Sequence, residues 1–360
     1  MTPRQASTAE MLRTPLDGPA SWRGEELRTR RRTWVEELTR EESGELVALA
    51  RTVVEEADTF HRLDPRRFHA PALAARARRR RSALESGTGV LLLRGVPVAG
   101  HTPQQIAVMY WALGLTVGIP TPQDKRELYL AHVREQGRPG PDRFAYQTNV
   151  ELPFHTDWCD VVSLLCVAPS PHGGTSRIAS SVTVYNELLR RRPDLAEALY
   201  EPMWMNNKDE ADGAKLPHYA ASHISWLDGK LSFRRRPSWR RRAATDGRPE
   251  YLQPTAADGP PPPSAAQTRA LELVDEIARE DGVALAMDLE AGDAQFINNH
   301  VILHARDAFQ DGGEPHRKRH LMRLWLTVPG GRRLQQEYAR GIARQSSLPG
   351  GRCAAWGEDA

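Results

Sequence analysis

The chain has 360 residues, of which 40% are hydrophobic and 26% charged, a balance typical of globular domains. No stretch approaches the roughly 20 apolar residues of a membrane span, and the first 22 residues lack the apolar segment of a secretory signal. Three cysteines are too few for a disulfide framework and form no CxxC pair, so we expect a cytoplasmic protein without structural zinc.

The formal net charge is only +3, but arginines cluster at 78–81 and 234–242. Such clusters suit either a nucleic-acid surface or a solvated, arginine-rich face. No zinc finger, aromatic RNA-binding pattern or recognition helix accompanies them, and phosphate contacts alone give non-specific binding. We therefore favour the solvated face and expect no specific nucleic-acid partner.

The first half of the chain predicts helices around one buried strand. Residues 1–40 show no sustained apolar period and predict a loosely ordered tail. Apolar residues recur at helical spacing over 45–60 and again over 103–114. Between them, residues 89–95 form an apolar run bounded by glycines, which is typical of a buried strand.

The middle of the chain alternates between short elements and loops. We predict a strand over 161–167, a turn over 172–174 and a helix over 184–200 that is interrupted near Pro193. Residues 234–263, rich in proline and arginine, predict a long irregular insertion or lid. Ser264 and Gln267 then fit a capping box that begins another helix.

The C-terminal part predicts β-structure. Residues 283–289, 295–304 and 320–328 alternate apolar and polar side chains, separated by short turns. Such strands, with helices upstream, indicate an antiparallel sandwich or jelly roll. We expect one catalytic domain over 41–345 and a tail over 346–360.

His155 and Asp157 form the first candidate site. On a strand, positions i and i+2 point to the same face, so an imidazole nitrogen and a carboxylate oxygen would meet one ion. A His-x-Asp tripeptide alone is a weak signal, because a surface histidine beside a surface aspartate gives the same pattern.

Two further histidines, His300 and His304, occupy the same face if 295–304 is a single strand. They would then lie about 13 Å apart, so at most one of them would join the same metal. Two histidines and one carboxylate with open positions are the facial triad of non-heme Fe(II) oxygenases.

The strand after 318 places Arg319, Leu321, Arg323 and Trp325 on one face, opposite a mostly apolar face. Arginines on a strand that is otherwise core-like need anionic partners. A dicarboxylate ligand held by a guanidinium fork would meet that need.

From residue 87 to residue 333 the sequence resembles the taurine dioxygenase-like (TauD/TfdA) family of Fe(II)/2-oxoglutarate-dependent oxygenases. The resemblance is carried by several segments in the family's order: 89–96, 154–157, 172–177, 292–299, 303–307 and 319–325. It implies an α+β, mainly β fold, with a double-stranded β-helix (a cupin-like jelly roll) core and flanking helices.

The resemblance also implies roles for individual residues. His155, Asp157 and His304 would be the iron ligands, and Arg319 would bind the distal carboxylate of 2-oxoglutarate. The family commonly places a threonine after the Gly-Gly turn to assist that carboxylate, and the matching position here holds Ser176, with Thr175 beside it.

Substrate-binding residues are less sharply implied. Arg323 matches an arginine that binds an anionic substrate group in some members, although a salt bridge inside the sheet explains it equally well. Asn149, Phe154 and Trp158 flank the first iron ligands and would line the substrate pocket or belong to the core.

The resemblance implies an Fe(II)- and 2-oxoglutarate-dependent dioxygenase that uses O₂ and releases succinate and CO₂. We expect hydroxylation of an unactivated C–H bond of a small biosynthetic intermediate, in a protein without membrane association that is a candidate homo-oligomer. Asp157 argues against a halogenase, which needs the carboxylate position vacated. The alternatives are an oxygenase acting on a macromolecule and a non-catalytic binding module.

Overall fold

The computed structural model describes most of the chain. Described are residues 11–53, 62–124, 127–136, 145–206, 218–235, 241–243, 249–251, 261–314 and 318–342.

Eight α-helices lie in these ranges: α1 (Gly24–Thr29), α2 (Arg40–Val53), α3 (Pro71–Glu85), α4 (Pro103–Leu115), α5 (Ser181–Arg191), α6 (Pro193–Ala198), α7 (Ala265–Arg279) and α8 (Gln336–Ala339). The predicted helix break near Pro193 is confirmed, since α5 ends and α6 begins there. The Ser264 hydroxyl accepts a hydrogen bond from the Gln267 amide at 3.2 Å, so the capping box at the start of α7 is also confirmed. No helix of the described residues is long and apolar enough to cross a membrane.

The strands of the first half are β1 (Val35–Glu37), β2 (Val90–Arg94), β3 (Ile119–Thr121), β4 (Leu130–Val133), β5 (Leu152–His155), β6 (Val161–Ala168), β7 (His172–Gly173), β8 (Ser176–Ser180), β9 (Met203–Asn206) and β10 (His218–Ala221). Those of the second half are β11 (Ile224–Leu227), β12 (Lys230–Phe233), β13 (Arg241–Ala243), β14 (Pro249–Tyr251), β15 (Leu285–Met287), β16 (Ala294–Asn298), β17 (Ile302–Arg306), β18 (Phe309–Gln310) and β19 (His320–Thr327).

Two sheets carry the architecture. The larger has seven strands in the order β1-β2-β16-β6-β19-β3, with β4 also paired to β19, and the smaller has the order β15-β8-β17-β5. All pairings are antiparallel except that between β1 and β2. The predicted fold class, a mainly β core with flanking helices, is confirmed.

Strand β19 shows how the alternating pattern builds the core. Leu321 and Trp325 pack into one buried cluster, whereas Met322, Leu324 and Leu326 pack into another beneath α4. Successive side chains of a strand point to opposite faces, so this strand divides two cores. Its arginine, Arg323, lies on the Trp325 face, as the sequence predicts.

The N-terminal segment differs from the predicted loose tail. Of residues 1–40, those from 11 onward are described, and Trp22, Leu27 and Trp34 are almost fully buried. Strand β1 pairs with β2 in register. A few large aromatic anchors fix this segment without any apolar period, so a boundary at residue 41 does not separate a tail from a domain.

The predicted strand over 295–304 is two strands. A turn at Asn299–Val301, in which the Asn298 side chain accepts from the His300 amide at 2.9 Å, separates β16 from β17. Because β16 belongs to the larger sheet and β17 to the smaller one, the chain crosses between the sheets here. The prediction that His300 and His304 share a strand is therefore wrong.

The predicted lid at 234–263 is described only in part, and its described pieces include an antiparallel pair, β13 with β14. At its start, Arg234 and Arg235 are buried. Arg235 donates to both carboxylate oxygens of Asp275, at 3.0 and 2.6 Å. The expectation of a solvated arginine face is therefore wrong for these two residues. The predicted tail at 346–360 lies outside the described residues.

Candidate active site

Strand pairing brings the predicted metal ligands together. His304 of β17 lies directly opposite His155 of β5, and the two ring centroids are 4.1 Å apart. Asp157 follows just after β5 ends. One ligand atom from each of His155, Asp157 and His304 lies within 4.8 Å of the others. A bulge between Leu152 and His155 shifts the β5–β17 register, a device that re-aims a side chain beside an active site.

The imidazoles of His155 and His304 fit a metal centre. The His155 Nδ1 lies 2.8 Å from the Pro153 carbonyl oxygen, which only accepts, so Nδ1 carries the proton and Nε2 keeps a lone pair. The His304 Nδ1 is buried and has no hydrogen-bond partner among the described residues. Two imidazoles and a carboxylate are the donor set of a ferrous facial triad, so these residues fit the implied iron.

Burial or neighbouring charges lower the pKa of each of the three groups. Desolvation by burial, with His155 nearby, lowers the pKa of His304 to about 3, and burial also lowers the pKa of His155. Burial opposes ionisation of Asp157, but Arg323 and the two histidines outweigh it and lower the pKa of the carboxyl. At neutral pH the site therefore holds neutral imidazoles and a carboxylate, the forms that bind metals.

The Asp157 carboxylate is held by two neighbours on β19. The Trp325 Nε1 donates to Oδ2 at 2.9 Å, and the Arg323 Nη1 lies 3.5 Å from the same oxygen. On the backbone side, the Asp157 amide donates to the Asn299 side-chain oxygen at 3.2 Å. Sequence reasoning missed the roles of Trp325 and Asn299. The placement of Trp325 on the same strand face as Arg323 was a signal for the role of Trp325.

Arg323 contacts the predicted metal ligand Asp157 and also the side chains of Gln123 and Tyr146. Its Nε donates to the Gln123 side-chain oxygen at 2.7 Å, and its guanidinium carbon lies 4.6 Å from the Tyr146 ring centroid. The salt-bridge interpretation and the substrate-binding interpretation of Arg323 are thus compatible, because its contact with Asp157 occupies only part of the guanidinium.

The predicted co-substrate residues lie at the other end of the site. Arg319 is 5% exposed, its Nη1 has no hydrogen-bond partner among the described residues, and burial lowers its pKa to about 10. A Cβ on Gly174 would lie 3.1 Å from the Arg319 Nε, so the Gly-Gly turn admits this side chain. Ser176 is buried, within 3.5 Å of the Gln295 amide group.

Other predicted residues lie outside this cluster. The Thr175 hydroxyl donates to Asp288 at 2.7 Å near the surface, and Phe154 packs in the core. The backbone carbonyl of Asn149 accepts from the Phe309 amide. Trp158 lines a small cavity that also touches Asp157.

His300 is a buried structural histidine. Its Nε2 lies 2.9 Å from Asp160 Oδ1 and its Nδ1 lies 3.2 Å from the Tyr338 hydroxyl. These contacts engage both ring nitrogens away from the triad.

The fold and the His-Asp-His constellation define a 2-oxoglutarate-dependent non-heme iron oxygenase. The family described as "Taurine catabolism dioxygenase TauD, TfdA family" matches residues 56–325. The chain belongs to this family, which confirms the predicted resemblance; Fe(II), 2-oxoglutarate and O₂ are the cofactors and oxidant of the class.

Two curated proteins are similar to the chain over most of its length. FR-33289 synthase of Streptomyces rubellomurinus is 29% identical over 328 residues, which are 90% of this chain and 93% of that protein. Taurine hydroxylase-like protein SAT17 of Stachybotrys chartarum is 30% identical over 297 residues, 74% of this chain and 70% of the relative.

Solved structures share the fold. Asparagine oxygenase in complex with Fe(II), 2S,3S-3-hydroxyasparagine and succinate gives a TM-score of 0.55 at 18% identity, covering 82% of this chain and 94% of that one. The non-heme iron oxygenase OrfP in complex with Fe, succinate and (3S)-hydroxy-L-Arg gives a TM-score of 0.57 at 14% identity, covering 81% and 94%.

Proposed function

We propose that the protein hydroxylates an unactivated C–H bond of a small biosynthetic intermediate, with conversion of 2-oxoglutarate to succinate and CO₂. The observation that carries the proposal is the approach of His155, Asp157 and His304 to one point, with buried guanidiniums beyond them. A relative named a synthase, matched over nearly its whole length, and fold neighbours bound to hydroxylated amino acids support it.

Each residue has a stated task in this proposal. His155, Asp157 and His304 would hold the ferrous ion, and Arg319 with Ser176 would bind the distal carboxylate of 2-oxoglutarate. Trp325 and Arg323 hold the Asp157 carboxylate in place, and the Pro153 carbonyl fixes the ring of His155. Bound iron would supply the oxidising chemistry with O₂, while the buried strands around it exclude water.

The Arg323 guanidinium beside the metal ligand Asp157 favours a substrate with an anionic or acceptor group. Arg323 is 12% exposed at its side chain, and the aromatic ring of Tyr146 lies beside it. Asn149 and Trp158 remain candidate lining residues, since Asn149 precedes β5 and Trp158 borders the cavity at Asp157.

The described start of the basic cluster does not favour the macromolecular alternative. Arg234 and Arg235, which begin the basic cluster proposed to steer a nucleic acid, are buried, and Arg235 is neutralised by Asp275. A small-molecule substrate therefore accounts better for the described part of the site.

Turnover decides between an oxygenase and a non-catalytic binding module. We expect the iron-loaded protein to release succinate from 2-oxoglutarate, and more of it when a true substrate is added. His304→Ala should abolish both metal binding and succinate release, while Thr175→Ala, whose hydroxyl faces Asp288, should retain them. Metal and 2-oxoglutarate binding without succinate release, across a panel of substrates, would instead support the binding module.

A further inference from the structure

We infer that Arg306 is a second guanidinium for the distal carboxylate of 2-oxoglutarate, so that the co-substrate pocket binds a dicarboxylate with two cations, Arg306 and Arg319. The inference rests on the proposed function and concerns a residue of segment 303–307 to which the sequence analysis gave no role. Four observations carry it: strand register, burial, unused donors and a shared aromatic ring.

Strand register places Arg306 in the co-substrate pocket. Arg306 follows His304 by two residues on β17, so both side chains point to the same face, about 7 Å apart along the strand. Across the β8–β17 pair, Arg306 lies directly opposite Ser176, and side chains at opposed positions are close neighbours on one face. A separation of about 7 Å between His304 and Arg306 along the strand suits a five-carbon diacid whose 2-oxo acid end binds iron.

The Arg306 guanidinium is buried with donors to spare. The residue is 5% exposed, and one nitrogen, Nη2, donates to the backbone carbonyls of Thr148 (2.9 Å) and Val150. Its Nε and Nη1 are buried and have no hydrogen-bond partner among the described residues, and no carboxylate there forms a salt bridge with it. A buried cation with two unused donors is costly unless an anion binds it.

Arg306 and Arg319 converge on one ring. Their guanidinium carbons lie 4.9 and 5.1 Å from the Phe309 centroid, and Arg319 also keeps an unused buried donor at Nη1. Two buried cations beside one another repel, and a carboxylate between them would relieve that repulsion while accepting from both. The arrangement therefore selects a second negative charge on the co-substrate.

The test compares two 2-oxo acids that differ only at the far end. 2-Oxopentanoate has the five carbons of 2-oxoglutarate but a methyl group in place of the distal carboxylate. Dissociation constants are measured by calorimetry on Mn(II)-loaded protein without oxygen. The constant of the more weakly bound acid is obtained from its competition with the other acid. We expect Arg306→Gln to weaken 2-oxoglutarate binding by about tenfold to a hundredfold, the range of a charge-assisted hydrogen bond, and to leave 2-oxopentanoate binding almost unchanged.

Arg177→Gln is the matched control. Arg177 lies on the neighbouring β8, but it forms a half-exposed ion pair with Asp307, so its removal should leave the affinity for both acids unchanged. Arg306→Lys keeps the positive charge but not the paired N–H donors of the guanidinium. It should therefore cause an intermediate loss of affinity for 2-oxoglutarate and no loss for 2-oxopentanoate. If Arg306→Gln does not fold, the lysine variant decides the question.

The outcomes separate the inference from the proposed function. If the Arg306 variants bind 2-oxoglutarate normally, or weaken both acids equally, Arg306 only holds the backbone at Thr148 and Val150, and the inference is overturned. If the wild-type protein itself binds neither metal nor 2-oxoglutarate, the proposed function fails instead.

Discussion

Asp157 depends on a neighbour that lies 168 positions further along the chain, Trp325, whose indole N–H donates to Oδ2 at 2.9 Å. A partner that orients a ligating carboxylate commonly contributes about 10- to 100-fold to metal affinity. We therefore expect Trp325→Phe, which keeps the ring and loses the donor, to weaken Mn(II) binding by about that factor, measured by titration under anaerobic conditions. Trp226→Phe, in the β11–β12 hairpin, is the control and should bind the metal normally.

The spacing of His155 and Asp157 was a local signal, although Asp157 lies just beyond the strand that the spacing argument assumed. Residue spacing alone left His300 and His304 both open, and the full set of His155, Asp157 and His304 was predicted only through the resemblance to the family. Arg306 and Trp325 were not predicted, since their roles depend on which strands pair and in which register. Ser176 illustrates the difference: its place after the Gly-Gly turn is visible in the sequence, but its position opposite Arg306 is visible only in the β8–β17 pair.

Local sequence signals specify helix α7. Ser264 accepts from the Gln267 amide at 3.2 Å, and the Gln267 side chain accepts from the Ser264 amide at 2.9 Å. Replacing an N-cap serine with alanine commonly costs about 1 kcal/mol. We expect Ser264→Ala to lower the free energy of unfolding by about that amount in urea denaturation, while Ser170→Ala, in an exposed turn, should cost less. An equal effect of both substitutions would argue against the cap.

Three elements are joined by one buried ion cluster. The fully buried Arg80 of α3 donates to Glu36 of β1 at 2.6 Å and to Glu42 of α2 at 2.5 Å. Burial raises the pKa of Glu36, but the hydrogen bond and charge of Arg80 outweigh it, so the folded pKa lies below the ordinary 4.5.

Because the pKa is depressed in the folded state, Glu36 stabilises the protein above pH 4.5, and this contribution is lost as the pH falls below that value. We expect Glu36→Gln to cost about 2 kcal/mol at pH 7 and progressively less toward pH 3.5, measured by urea denaturation across pH. Glu41→Gln, on the exposed face of α2, should show no such pH-dependent difference.

Element boundaries were predicted only in part from local signals. The α4 and α7 helices follow from apolar spacing and capping residues. The break between β16 and β17 was missed although Asn298, Asn299 and His300 are three consecutive polar residues that interrupt the alternation. In the structure the Asn298 side chain accepts from the His300 amide within this turn.

At the scale of the whole molecule, the N-terminal segment ties the two sheets together. The Trp22 indole donates to the Thr88 carbonyl just before β2 of the larger sheet, at 2.9 Å. The Trp22 carbonyl accepts from Thr183, and the Ala20 carbonyl from Ser180 at the end of β8 in the smaller sheet. Sequence periodicity could not show this, because single aromatic anchors separated by polar residues have no period.

The contacts of the N-terminal segment with both sheets predict that stability depends on Trp22, a residue far from the metal ligands in sequence. Trp22 is 1% exposed, and truncating such a side chain to alanine costs about 3–5 kcal/mol through lost burial and the cavity left behind. We expect Trp22→Ala to lower the unfolding free energy by that amount, followed by circular dichroism in urea. Trp204→Ala removes a 45% exposed ring and should cost less than about 0.5 kcal/mol. Similar losses for the two tryptophans would mean that residues 11–37 pack on a core that stands without them.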